Sequence, residues 1–169
     1  MKKYYIYIEK LNKENYLYLQ NIFEDYSLNE DNLFPFLLQL PETEILIIID
    51  EEVNQDSESI ISTIYEASEY NNNLIIKETH DHIIVLDIDK LNNFKHDYLK
   101  DIFKLPEYYG NNLDALYDCM SELQDSKIII KNMKEINDFS LDVINVFNDI
   151  HDEYNNLTVI YEDETQDNI

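Results

Sequence analysis

Arginine and tryptophan are absent from this 169-residue sequence, and glycine and cysteine each occur once. A single cysteine excludes an internal disulfide framework. With so little glycine and only three prolines, the turns must be built from Asn, Asp and Ser, which tolerate left-handed backbone conformations. The Asn-rich segments are therefore predicted to be turns rather than disordered regions.

Long apolar runs are also missing from the sequence. No segment approaches the roughly 20 apolar residues that cross a bilayer, and Met1-Lys2-Lys3 leads into a strand-like segment instead of a secretory leader. The sequence predicts a cytoplasmic protein with no membrane partner.

Negative charge dominates the composition, because 36 acidic residues and 12 lysines leave a net charge of -24. Such a surface repels nucleic acid and anionic membranes, and it attracts cationic proteins with salt-sensitive association. The alternative is that the charge serves only solubility or a salt-adapted cytoplasm. The expected partner is a basic protein and not a nucleic acid.

Two similar halves follow one another along the chain. Hydrophobic patterning in the first half predicts the order strand, helix, helix, strand, helix, strand. These elements are predicted at residues 3–9, 13–25, 32–40, 45–49, 57–70 and 74–76.

The second half repeats this order. At a shift of 80, Asn32-Leu33 falls on Asn112-Leu113, and at a shift of 83, Asn72-Asn73-Leu74 falls on Asn155-Asn156-Leu157. A repeat of this length implies one structural unit used twice. We predict two α/β units, residues 1–79 and 80–169.

The stretch 105–119 contains both the glycine and the cysteine. In a chain that avoids glycine, Gly110 is expected where the backbone takes a positive φ or approaches another group closely. Asn111 or Asn112 is a good N-cap for a following helix, and the apolar positions of that helix are predicted to face the core. These are Leu113, Leu116, Met120 and Leu123.

The opposite face of this helix carries the candidate binding residues. Asp114, Tyr117, Asp118 and Ser121 recur at intervals of three and four, so they share one exposed strip. The spacing alone is also compatible with ordinary acidic residues in a first turn.

Two further segments add candidate contact residues. Tyr108 and Tyr109 are predicted on an exposed turn, and tyrosine is a favoured contact residue at interfaces. In the helix over 140–154, Asp149 and Glu153 point outward at i, i+4, where like charges are mildly unfavourable. Their presence favours a use outside the helix.

The motif Leu105-Pro106-Glu107-Tyr108-Tyr109-Gly110-x-Asn112-Leu113-Asp114-Ala115-Leu116-x-Asp118-Cys119 resembles the signature of the barstar family, intracellular inhibitors of a secreted bacterial ribonuclease. The resemblance extends through residues 81–163, and the first half resembles the family only through the repeat. It implies units with a three-stranded parallel sheet flanked by helices, without catalysis or cofactor.

The resemblance also implies a mode of binding. A ribonuclease cleft that binds polyphosphate is cationic, and an inhibitor can fill it with carboxylates. Asp118 would be the central plug and Asp114 would stand beside it. The remaining implied contact residues are Tyr108, Tyr109 and Asn112 in the loop, Tyr117 in place of the usual Trp, Ser121 at an altered edge, and Asp149 and Glu153 as an acidic edge.

The first unit has lost these residues. At the shift of 80, Asp114, Tyr117 and Asp118 correspond to Phe34, Leu37 and Leu38, so no acidic plug can work there. Because soluble domains seldom expose such a patch, the three apolar side chains are expected to be buried against the second unit or in a dimer.

The leading hypothesis is an immunity-type inhibitor of a basic ribonuclease, produced by a bacterium. The alternatives are an acidic scaffold for another cationic protein and a nucleic-acid mimic that works by overall charge. His80 and His82 are too few for a structural metal site. Cys119 has no histidine near it in sequence, and Asp114 and Asp118 lack a cleft that would raise a pKa, so an enzyme is the last choice.

Overall fold

The computed structural model describes residues 1–14, 16–50 and 54–162. The chain divides into two compact units, the first from Met1 to Asp81 and the second from His82 onward. This division falls just after the predicted boundary at residues 79 and 80.

The first unit is a parallel sheet with helical connections. Its strands are β1 (Lys2–Tyr7), β2 (Thr43–Ile48) and β3 (Leu74–Thr79), in the order β1-β2-β3. A single 3-10 turn, Ile8–Lys10, and the helices α1 (Leu17–Phe23) and α2 (Leu33–Leu38) connect β1 to β2. Helix α3 (Gln55–Tyr70) precedes β3.

The second unit repeats this architecture. Strands β4 (Ile83–Asp87), β5 (Ser126–Lys131) and β6 (Leu157–Tyr161) form a parallel sheet in the order β4-β5-β6. The helices are α4 (Ile88–Ile102), α5 (Leu113–Ser121) and α6 (Asp138–Tyr154), and α4 is interrupted at Lys95, which has φ 48°. The predicted α/β class with two three-stranded parallel sheets is confirmed.

Each unit has its own apolar core around its central strand. Ile45 and Ile47 of β2, and Ile128 and Ile130 of β5, are fully buried. Continuous aliphatic runs are typical of parallel strands that are covered on both faces. The central strand therefore requires helices on both sides of the sheet.

The repeat extends to individual hydrogen bonds. The Tyr18 phenol accepts the Tyr7 N–H at 2.8 Å, and the Tyr98 phenol accepts the Asp87 N–H at 2.9 Å. Both residues of the second pair lie 80 positions after their counterparts in the first. The N-caps of α3 and α6 match at the shift of 83, since Asn54 accepts the Ser57 N–H and Asn137 accepts the Ser140 N–H. The two halves are therefore copies of one structure.

An asparagine side chain stabilises the turn after α2, and another stabilises the turn after α5; Asn71 is buried and Asn156 is half-buried. Asn71 Nδ2 donates to the Leu37 and Leu40 carbonyls, both at 3.0 Å. Asn156 Nδ2 donates to the Leu123 carbonyl at 2.8 Å and also to that of Met120. The two asparagines do not correspond to each other at the shift of 83. The two units therefore make the same kind of hydrogen bond from different sequence positions.

The structure corrects the expectation for the apolar face of α2. Leu37 is buried in the core of its own unit, one helical turn from the buried Leu33. Phe34 is half-buried there and packs edge-on against Tyr70, with ring centroids 6.2 Å apart, whereas Leu38 is 38% exposed. Leu37 is therefore buried by its own unit and not by the second unit or another chain, Phe34 is half-buried in that same unit, and burial of Leu38 in a dimer stays a prediction.

Removing either equivalent phenol should destabilise the protein. Tyr98→Phe removes the phenol that accepts the Asp87 N–H, and Tyr18→Phe removes the phenol that accepts the Tyr7 N–H. Each substitution should lower the free energy of unfolding by about 1–3 kcal/mol. Urea unfolding at neutral pH measures the loss. Tyr26→Phe is the control because Tyr26 is 73% exposed, and equal effects for all three variants would contradict the assignment.

The same phenols predict a loss of stability at alkaline pH. Burial raises the pKa of Tyr98 from 10.0 to about 12, and burial also raises the pKa of Tyr18. A pKa that is higher in the folded state gives stability that is present below about pH 10 and lost as the pH rises further. Urea unfolding between pH 9 and 11 should show this decline, and it should be shallower in Tyr98→Phe.

Candidate protein-binding surface of the second unit

The loop before α5 separates the two adjacent tyrosines. The Tyr109 N–H donates to the Pro106 carbonyl at 2.9 Å, which closes a turn with Tyr108 inside it. Tyr108 is 88% exposed, whereas Tyr109 is 6% exposed and belongs to the core with Leu105. The prediction of an exposed tyrosine is confirmed for Tyr108 and is wrong for Tyr109.

Tyr109 is held inward by His96 of α4. Tyr109 Oη and His96 Nδ1 lie 2.7 Å apart in a hydrogen bond, and the His96 ring packs edge-on against Phe139 at 4.9 Å. Burial raises the pKa of Tyr109 to about 12 and lowers the pKa of His96. Tyr109 therefore anchors the loop, and Tyr108 is the exposed aromatic side chain of the loop.

Gly110 serves a close approach and not a positive φ. The residue with positive φ is its neighbour Asn111, at 49°, while Gly110 does not have one. A Cβ on Gly110 would lie 2.9 Å from Asn112 Nδ2. Of the two alternatives expected for Gly110, the structure shows the close approach.

Asn112, which is one of the two predicted candidates, is the N-cap of α5. Its Oδ1 accepts the Ala115 N–H at 2.8 Å, and its Nδ2 donates to the Gly110 carbonyl at 3.1 Å. The side chain satisfies an otherwise orphaned helix N–H and ties the loop to the helix. The direction of α5 relative to the loop is therefore fixed.

Helix α5 buries one face and exposes the acidic one. Leu116 and Met120 are fully buried, and Leu113 is half-buried. Asp114 and Asp118 are exposed on the other face, and within the described part of the chain neither carboxylate has a hydrogen-bond or lysine partner. Both aspartates lie outward as predicted and are available to an external cation.

Tyr117 connects α5 to α6 through a contact that the local sequence pattern does not predict. Its phenol donates a hydrogen bond to Glu153, and its ring packs edge-on against Tyr154 with centroids 6.3 Å apart. The hydrogen bond to Glu153 raises the pKa of the Tyr117 phenol. Tyr117 and Glu153 therefore act as a pair, and Asp149 of α6 is an exposed carboxylate.

Ser121 has a structural role at the end of α5. Its hydroxyl donates to the Asp118 carbonyl at 2.8 Å, and the side chain is half-buried. Asn156 Nδ2 also points toward the Ser121 carbonyl, at 3.4 Å. These bonds fix the last turn of the helix directly after Asp118.

Cys119 is half-buried against the core, as expected. Burial raises the pKa of its thiol, and the carboxylates of Glu122 and Asp118 raise it further. The thiol therefore stays protonated, which is the opposite of what a nucleophile requires.

The histidines near the unit boundary are not assembled into a metal site. His82 Nδ1 is 2.7 Å from the Ser126 hydroxyl. Over residues 1–14, 16–50 and 54–162, no group of three or more His, Cys, Asp and Glu side chains is placed to hold a metal ion. Within those ranges no helix is both long and apolar enough to cross a membrane.

Comparison with known proteins relates the second unit to a protein family. The family model for Barstar (barnase inhibitor) matches residues 82–164. The Bacillus subtilis (strain 168) protein named "Putative ribonuclease inhibitor YrdF" is 46% identical over 46 residues, which cover 26% of this chain and 50% of that protein. The chain thus spans about half the length of this curated relative. Residues 82–164, within the second unit, are therefore a barstar-family domain.

Proposed function

We propose that the second unit inhibits a basic ribonuclease by placing the carboxylates of α5 in the cationic cleft of that enzyme. The observation that carries the proposal is the pair Asp114 and Asp118, exposed and without partners among the described residues. They follow the loop that carries the exposed Tyr108, in a unit of an inhibitor family.

The chemistry of the target explains the choice of carboxylates. A ribonuclease holds the RNA backbone with lysine and arginine side chains, and carboxylates form short charge-assisted hydrogen bonds with such groups. Because neither aspartate gives up an internal partner on binding, the full charge of each is available to the enzyme. The overall charge of -24 accelerates the encounter with a basic protein.

The surface is arranged before the partner arrives. Asn112 fixes the start of α5, Ser121 and Asn156 fix its end, and Leu116 and Met120 seat it on the core. A surface that is already ordered loses little entropy on binding. Tyr108 is the exception, since its ring is 88% exposed and its rotamer freedom would be lost on binding.

The edge formed by α6 contributes in two ways. Asp149 is an exposed carboxylate that can meet a cationic side chain directly. Glu153 already accepts the Tyr117 hydrogen bond, so it orients the Tyr117 ring at the margin of the contact. Inhibition by this surface is binding without a chemical step, and it would protect the cytoplasm of the producing bacterium as an immunity protein does.

Asp118→Ala should abolish tight inhibition. We expect the binding free energy to weaken by at least about 2 kcal/mol, which raises the inhibition constant roughly thirtyfold. This size is typical of a dominant interface residue, and barstar itself is a reference case for it. The measurement is RNA cleavage by basic bacterial ribonucleases, titrated with the full-length chain. Asp101→Ala is the matched control, because Asp101 is an exposed aspartate of α4 outside the proposed surface.

Two outcomes would contradict the proposal. One is that no basic ribonuclease in the panel is inhibited by the unmodified chain. The other is that Asp118→Ala and Asp101→Ala weaken inhibition equally, because a diffuse acidic scaffold would lose little at any single aspartate.

Substitution of the two adjacent tyrosines should separate binding from folding. Tyr108→Ala should weaken inhibition and change stability by less than about 0.5 kcal/mol, since its ring is exposed. Tyr109→Ala removes a buried ring and should destabilise the unit by about 3–5 kcal/mol. Inhibition assays paired with urea unfolding of both variants test this, and a stability loss in Tyr108→Ala as large as that in Tyr109→Ala would refute the assignment.

A further inference from the structure

The first unit has a groove that the proposed inhibitor function does not use. Its volume is about 370 Å³, and it lies along α3 at the carboxyl ends of the strands. Ile8 follows β1, Ile49 follows β2, and Glu78 is near the end of β3. Ligands of open α/β sheets bind at this edge.

The floor of the groove is apolar. Ile49, Ile61 and Tyr65 are half-buried in it, and Ile8 closes the bottom as part of the core. The floor can therefore cover the aliphatic part of a side chain.

The rim of the groove is acidic. Glu58, Glu66 and Glu69 project from the same face of α3, and Glu78 faces them from β3. No lysine pairs with any of these four glutamates in the part of the chain that the structure describes. Glu78 accepts a hydrogen bond from Tyr65, which fixes the phenol across the groove.

The charges do not converge as a metal site would require. Among the described residues no three carboxylates are close enough to hold one ion, whereas a calcium site needs six to eight oxygen ligands. Dispersed carboxylates above an apolar floor match a ligand whose positive charges are also dispersed and separated by apolar groups.

We propose that this groove binds a cationic segment of a partner polypeptide, with lysine or arginine heads at the glutamate rim and their aliphatic stems on the isoleucine floor. Part of this charge pattern is specific to the first unit, whereas Glu66 and Glu69 have acidic counterparts in Asp149 and Asp152 at the shift of 83. At the shift of 83, Glu58 and Tyr65 correspond to Leu141 and Asn148 in the second unit, and Asn148 there bonds to Tyr161 in place of Glu78.

The test uses the full chain and a short capped peptide of alternating arginine and leucine, with binding followed by isothermal titration calorimetry. We expect the triple variant Glu58→Gln, Glu66→Gln, Glu69→Gln to lower the affinity about tenfold or more. The matched control is Glu14→Gln, Glu30→Gln, Asp31→Asn, which removes the same charge at exposed sites outside the groove. Ser62→Arg, which fills the groove with the protein's own cation, should also weaken binding.

Three results would overturn the proposal. The first is no binding of the peptide, and the second is an equal loss of affinity in both triple variants. The third is that spermine displaces the bound peptide at the same concentration as additional free peptide does. Asp118→Ala should leave peptide binding unchanged, and the triple glutamine variant should leave ribonuclease inhibition unchanged. Failure of the groove and failure of the proposed inhibitor function are thereby distinguishable.

Discussion

The structure of each unit depends on burying a central parallel strand on both faces. In the second unit, Ile128 and Ile130 lie on the same face of β5 and Ile129 lies on the other, and all three are buried. A strand of this kind cannot remain in water, so helices must cover the sheet. Helix α5 is held against the core by Leu116 and Met120, and this contact leaves Asp114 and Asp118 on the outer side. The exposed carboxylates are thus a geometric consequence of the buried apolar residues of the same helix.

The two units show that one scaffold supports different surfaces. Both keep the phenol that accepts a strand N–H and the asparagine that caps the last helix. They differ on the helix before the central strand, where α2 has six residues and contains a proline, and α5 has nine. The positions that bear aspartates in α5 bear Phe34 and Leu38 in α2, so the first unit cannot present the same acidic face. Its acidic groove lies on α3 instead.

The fold was predictable because its signals are local and occur twice. Aliphatic runs predict the strands, helical spacing predicts the buried residues of α5, and Asn112 predicts the helix start. The sequence could not determine which of Tyr108 and Tyr109 turns inward, because the choice depends on His96, thirteen residues away. The Tyr117–Glu153 pair joins two helices 36 positions apart. Strand order likewise depends on long-range pairing, and no local pattern specifies it.

The absence of arginine bears on how the acidic surfaces stay available. Arginine binds carboxylates through two parallel hydrogen bonds and would hold surface aspartates and glutamates in internal pairs. The described ion pairs use lysine and lie elsewhere, as in Lys77–Glu44 at 2.7 Å and Lys13–Asp56 at 3.2 Å. Among the described residues, the carboxylates of α5 and of the α3 groove have no lysine partner, and their mutual repulsion opposes the compact state. A cationic partner would relieve this repulsion. The charge imbalance that destabilises the isolated protein therefore favours the complex.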